Sequence, residues 1–124
     1  MAEHIYHCSL VSDWTAATAA GEYTVSTRGR TLQEEGFLHA SYAGQVDGVL
    51  ARYYTDVTEP MVLLVIDPDR LTVPLIPEAP SGSQEKFPHI YGPLDPAAVV
   101  EVLPLRRGEA GWATAGTAPD GTAP

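Results

Sequence analysis

Three of the four histidines in this 124-residue chain lie in short segments crowded with polar or aromatic side chains. His7 sits in Ile5-Tyr6-His7-Cys8-Ser9, His39 in Glu35-Gly36-Phe37-Leu38-His39-Ala40-Ser41, and His89 in Phe87-Pro88-His89-Ile90-Tyr91-Gly92-Pro93. An imidazole changes charge near neutral pH, so it can move a proton, bind a metal or donate a directed hydrogen bond. Taken alone, each also reads as a strand histidine satisfied by a backbone carbonyl. Taken together, they predict a pocket shared by at least two of them. Glu35 is expected either to orient His39 or hold a ligand hydroxyl, or to be a solvated loop acid. His39, Glu35 and His89 are thus the candidate catalytic groups. His7, Ser9, Ser41, Gln45 and Tyr91 are the candidate ligand contacts.

The spacing assigns further roles. Tyr91 lies two residues from His89 on a backbone stiffened by Pro88, Gly92 and Pro93, so the two side chains share a face. The same segment also reads as a structural turn with Tyr91 packed against it. Ser41 fits the N-cap of a following helix, and Gln45, one turn in, points back toward the strand ends. No two of His7, His39 and His89 have the close spacing of a zinc motif, so no metal site is expected. Cys8 is the only cysteine. Neighbours on a strand face opposite ways, so it is expected to be a small buried apolar residue rather than a nucleophile paired with His7.

The elements that position these groups follow from hydrophobic periodicity. Ile5 to Leu10 reads as a strand with Ile5, His7 and Ser9 on one face and Tyr6, Cys8 and Leu10 on the other. A short helix follows, with Ser12 as cap, Asp13 in the first turn, Trp14, Ala17 and Thr18 as its inner stripe, and Gly21 as its end. Arg28-Gly29-Arg30 is expected at a turn. Phe37 to Ser41 reads as a second strand with Phe37, His39 and Ser41 on one side and Leu38 and Ala40 on the other. A second helix is expected over 43–54, because Val46, Val49, Leu50 and Tyr53 recur at i, i+3, i+4, i+7. Met61 to Ile66 is apolar throughout, as in a strand covered on both faces. Val73 to Ile76 reads as an edge strand because Pro74 cannot donate. Residues 77–86 read as a mobile loop, Asp95-Pro96 as a one-turn helix start, and Val99 to Leu105 as a strand. Strand, helix, strand, helix and then mainly strands is an α+β order. The domain is expected to end near Arg107, and residues 108–124 to form a disordered tail, with docking through Trp112 as the competing expectation.

Bulk composition narrows the function classes. Hydrophobic residues make up 44%, enough for one core. No apolar run reaches the roughly 20 residues that span a bilayer, and the N-terminus lacks a signal pattern, so a cytoplasmic protein is expected. Sixteen acidic residues against seven basic ones give a formal net charge of -9. That surface repels nucleic acid and anionic membrane as whole-surface partners. A small-molecule ligand is expected. The sequence leaves its oligomeric state open.

The order of IYH, a tryptophan followed by alanines and Gly21-x-Tyr23, EGFLHAS followed by Gln45, LLVID and FPHIYGPL resembles the bacterial domain-of-unknown-function 952 family, from about Ile5 to Leu105. Ala40 stands where that family's pattern has a cysteine. The resemblance implies an ADP-ribosyltransferase-like α+β fold, with small antiparallel or mixed sheets and two short helices, related to RNA 2′-phosphotransferases. In those enzymes a first-strand histidine beside a small residue, matched by His7, Cys8 and Ser9, binds the ribose and nicotinamide end of NAD. A second-strand histidine, small residue and serine are matched by His39, Ala40 and Ser41. NAD, or a nucleotide-like ligand, and glycosidic or phosphoryl-group transfer are therefore what the resemblance implies. The late segment offers His89 and Tyr91 where active transferases carry a glutamate or arginines, and Arg28, Arg30 and Arg52 sit in no matching motif. A small-molecule enzyme not using NAD, and a non-catalytic binding module, are the other two readings.

Overall fold

The computed structural model describes residues 3–27, 30–79, 83–108 and 111–114. Strand β1 (Ile5–Leu10) leads into helix α1 (Val11–Ala20), a two-strand ribbon of β2 (Val25–Thr27) and β3 (Arg30–Thr31), and one turn of helix, α2 (Leu32–Glu35). Then come β4 (Leu38–His39), a 3-10 turn at Ala43–Gln45, helix α3 (Val46–Tyr53), β5 (Met61–Ile66), β6 (Leu75–Glu78), β7 (Phe87–Ile90), β8 (Val99–Gly108) and β9 (Gly111–Thr114). None of the described helices is long and apolar enough to cross a membrane.

Two antiparallel sheets matter for the site. The first has the order β1-β5-β8-β9 and the second β4-β7-β6. β5 is buried along its whole length because both faces of its sheet are covered. Val62, Leu64 and Ile66 face one core with Ile5, Ala17, Tyr23, Leu38 and Ile90, while Met61 and Leu63 face another with Cys8, Val49, Leu50, Tyr54 and Phe87. The period-2 alternation of a strand divides the two cores in this way. β1 obeys the same rule: Ile5 belongs to the first core, and Cys8, with Tyr6 and Leu10 beside it, to the second.

Helix boundaries depart from the sequence expectation in physical detail. α1 starts at Val11, one residue before Ser12, and Leu10 occupies its cap with no side-chain bond. Ala17 is buried and Trp14 packs on the first core, but Thr18 turns outward and its hydroxyl donates to the Thr15 carbonyl. Gly21 ends the helix at φ 85°, where a side chain would be strained. Ser41 is not the cap of the next helical segment. Its backbone pairs with Tyr6, and Tyr42 takes the cap, its N–H donating to Gln45 Oε1 at 3.0 Å. Val46, Val49 and Leu50 are buried, but Tyr53 is 46% exposed and Tyr54 replaces it, because the chain leaves helical geometry there.

The chain after Arg107 is also ordered differently from the expected tail. Gly108 closes β8, and β9 folds back on it from Leu105↔Thr114 to Gly108↔Gly111. Trp112 supplies the anchor: its indole N–H donates to the Tyr54 carbonyl at 2.9 Å, and its ring packs on the second core. One large ring and one satisfied donor outweigh the small neighbours that favoured disorder. Residues 115–124, Arg28-Gly29 and Pro80-Ser81-Gly82 lie outside the described residues.

Candidate functional site

The three-stranded sheet sets the geometry. Its register pairs Leu38 with Ile90 and His39 with His89 on one side of β7, and Ile76 with His89 and Glu78 with Phe87 on the other. Cross-strand partners share a face and alternate residues change face. Leu38, Ile90 and Leu75 therefore pack on the first core. The opposite face carries His39, Ile76, Glu78, Phe87 and His89, and Phe37 and Tyr91 extend it. Expected face-sharing of His89 with Tyr91, and of Phe37 with His39, corresponds to this arrangement.

On that face the Glu78 carboxylate gathers two donors. His89 Nδ1 stands 2.9 Å from Glu78 Oε1, and the Tyr91 hydroxyl donates to the same oxygen in a short hydrogen bond. The hydrogen bond from Tyr91, then that from His89, holds the Glu78 carboxyl below its ordinary range, and the carboxylate in turn pushes the Tyr91 hydroxyl up. The His89 ring stacks on Phe37 with centroids 3.9 Å apart, and Tyr91 lies 5.6 Å from Phe37. The His39 ring is 5.6 Å from His89 and 5.0 Å from Phe87. His39 Nε2 is buried with no hydrogen-bond partner among the described residues. Burial lowers the pKa of His39 to about 4, with a smaller push from His7 and His89.

A second polar set lies inside the protein, behind β4. His7 is 4% and Ser9 2% exposed, as deeply buried as His89 at 4%. His7 Nδ1 is 2.5 Å from the His39 carbonyl, and His7 Nε2 is 3.1 Å from the Tyr23 hydroxyl. That hydroxyl donates to Ser9 Oγ at 2.9 Å, and Ser9 donates to the Leu10 carbonyl at 2.8 Å. Burial lowers His7 to about 4 and raises the Tyr23 phenol. Contacts thus link Ser9, Tyr23 and His7 to the backbone of His39, with the single Tyr23 proton serving either Ser9 Oγ or His7 Nε2.

Several expected site residues stand elsewhere. Glu35 does not meet His39; it ends α2, 3.4 Å from the Arg30 guanidinium, because the turn after Gly36 (φ 87°) separates it from β4. Ser41 is buried with its backbone bridged to Tyr6. Gln45 ties the 3-10 turn to the strand entry, donating to the Lys86 carbonyl at 2.8 Å and Glu85 Oε2 at 3.1 Å. Sequence reasoning missed Glu78 by leaving it in a loop; β6 in fact runs Leu75–Glu78. The readable signal was Ile76-x-Glu78 beside Phe87-x-His89-x-Tyr91, two period-2 runs of suitable length to pair.

A small α+β domain with antiparallel sheets and a histidine–glutamate–tyrosine set on one sheet face is what this architecture defines. The chain belongs to the family described as Protein of unknown function (DUF952), whose model matches residues 8–102. It is similar to Protein CC0527 from Caulobacter crescentus: the crystal structure of that protein is 29% identical, with a TM-score of 0.75, covering 87% of this chain and 90% of that one. The solution NMR structure of the same protein is 27% identical with a TM-score of 0.67, covering 88% and 90%. No curated protein matches the chain.

Proposed function

We propose that this protein is an enzyme acting by general acid–base chemistry on a small neutral or cationic molecule at the polar face of β4, β7 and β6. The observation that carries this reading is the single Glu78 oxygen bonded to both His89 Nδ1 and Tyr91. An ionised carboxylate only accepts, so the His89 proton sits on Nδ1, and Nε2 of the neutral ring is the basic nitrogen. Phe37 and Tyr91, both half-buried, supply flat apolar surface for a planar substrate, while the buried Phe87 packs beside the His39 ring.

The nucleotide reading, transfer chemistry on NAD in an ADP-ribosyltransferase-like fold, calls for cations at the phosphates. Arg30 is held by Glu35, Arg70 by Asp67 and Arg107 by the Val57 carbonyl. Glu78 places a carboxylate at the site itself, and His7, the residue expected at the ribose, is engaged by the His39 carbonyl and the Tyr23 hydroxyl. These placements favour a substrate without a pyrophosphate.

A thermal-shift screen of the full chain tests the reading, because a ligand of the native state raises apparent stability by mass action. The panel holds neutral and cationic metabolites beside NAD, ADP-ribose and nucleotide phosphates at millimolar concentration. The expected hit is neutral or cationic, moves the ring signals of His89 and His39 in nitrogen-resolved NMR, and is lost in folded His89→Gln and Glu78→Gln variants. Stabilisation by NAD or ADP-ribose, or a hit that leaves both rings unmoved, overturns it.

A further inference from the structure

His39 is placed by groups that take no part in its own sheet. In the antiparallel pair of β4 and β7, the Ala40 N–H donates to the Pro88 carbonyl at 3.0 Å, so the main-chain groups of Ala40 face β7. Main-chain groups alternate direction along a strand, so the N–H and C=O of His39 face away from β7. β4 lies at the edge of its sheet, and no strand covers that side in the three-strand order. Two side chains from other elements take the place of a neighbour. His7 Nδ1, from β1, lies 2.5 Å from the His39 carbonyl, and Ser26 Oγ, from β2, accepts from the His39 N–H at 3.2 Å. Ser26 is 0% and His7 4% exposed, so neither bond competes with water.

We infer that His7 is a positioning residue for His39: with Ser26, it pins both peptide groups flanking the His39 α-carbon and so fixes where the His39 imidazole points relative to His89. The carbonyl needs a donor, which sets the His7 tautomer with the proton on Nδ1. Tyr23 and Ser9 complete the support by filling the far side of the His7 ring. A side-chain clamp from β1 therefore does for β4 what a fourth strand would do. His39 and His89 form the kind of pair in which opposed side chains come closest, because no main-chain bonds lie between them. A rotation about the His39 backbone would part the rings first.

This inference rests on reading His39 as part of the acting site, but its test needs no substrate, so it can fail or stand apart from that reading. The full chain is prepared as His7→Asn and His7→Leu. Asparagine keeps an N–H donor at the position of Nδ1, leucine keeps bulk without a donor, and neither carries charge. The His39 ring titration and ring-nitrogen shifts are followed by NMR. In His7→Leu the His39 midpoint is expected to rise from about 4 toward its ordinary 6.5 as the ring loosens from its buried seat; in His7→Asn it is expected to rise only by the smaller push that His7 itself exerted. Equal midpoints in the two variants overturn the inference. If His7→Leu does not fold, Ser26→Ala, which removes the other arm of the clamp, decides. An upward shift of the His39 midpoint supports the clamp, and an unchanged one overturns it.

Discussion

Acidification should unfold this protein through its histidines before its carboxylates. Burial takes His7 and His39 from an ordinary 6.5 down to about 4 in the folded chain. A depressed folded value means that the unfolded chain binds the proton first as pH falls. The stability these rings contribute is therefore complete above about pH 6.5 and is lost as pH falls toward 4. At about 1.4 kcal/mol per pH unit, the gap sets a ceiling of ~3 kcal/mol for each ring below pH 4. Between pH 7 and pH 5 the loss is roughly 2 kcal/mol for His7 and less for the more exposed His39. Glu34 and Glu78 are held below their ordinary range, so their contributions fade only at lower pH, and Asp13, raised by burial and by Glu59, opposes them slightly. Urea unfolding of the full chain at pH 7, 6 and 5 measures the effect. The expected outcome is a falling midpoint with an unchanged m-value, and a shallower fall in His7→Asn. Equal midpoints at pH 7 and pH 5 would refute the claim that these rings are buried and neutral.

Three further outcomes are expected. Trp112→Phe keeps the ring but loses the bond to the Tyr54 carbonyl, costing about 1 kcal/mol, while Trp112→Ala costs roughly 2–3 kcal/mol because the half-buried ring is lost as well; thermal unfolding separates them, and an unshifted Trp112→Ala would show β9 to be dispensable. Cys8 is buried and its thiol is pushed up to about 12, so a thiol reagent should label it only as fast as the protein unfolds; labelling at the rate of a free cysteine would contradict its place in the core. A Cβ on Gly92 would lie 2.5 Å from Val73 Cγ1, so Gly92→Ala should destabilise by roughly 1–3 kcal/mol, with part of the loss recovered by adding Val73→Ala; a double mutant no more stable than Gly92→Ala would place the strain elsewhere.

The strands were legible where period 2 was clean. Ile5–Leu10 and Met61–Ile66 were readable because alternation in the first and continuous apolarity in the second each admit one placement. α3 was readable from Val46, Val49 and Leu50. The one-turn α2 was missed because four residues show no period; its signal was the Thr31–Glu34 capping box. At the site, the histidines and Tyr91 were visible by type, but their partners were not. Glu78 reaches His89 through a strand pairing eleven residues apart in sequence, and the link from His7 to His39 spans thirty-two. Local spacing assigned Glu35 to His39 on proximity along the chain, and the turn at Gly36 removed it. Trp112 stood among residues that bury little, so only the fold-back of β9 reveals what it rests on.

The β6 edge carries a hazard and its remedy in adjacent residues. Ile76 is 43% exposed on a strand that, among the described residues, pairs with one neighbour, an invitation for another chain to add on and begin a fibre. The Tyr91 N–H donates to the Pro74 carbonyl at 2.8 Å, and counting along the ladder from there turns the nitrogen of Pro77 outward. Proline has no hydrogen to offer there, so an incoming strand meets a gap where it needs a donor. Glu78 follows with a fixed negative charge, which a second copy of the same edge would repel. Replacing Pro77 would leave His89 and Tyr91 with their partner, yet it would remove the guard against self-assembly. The acid bonded to His89 thus also sets a charge on the edge that an incoming strand would meet.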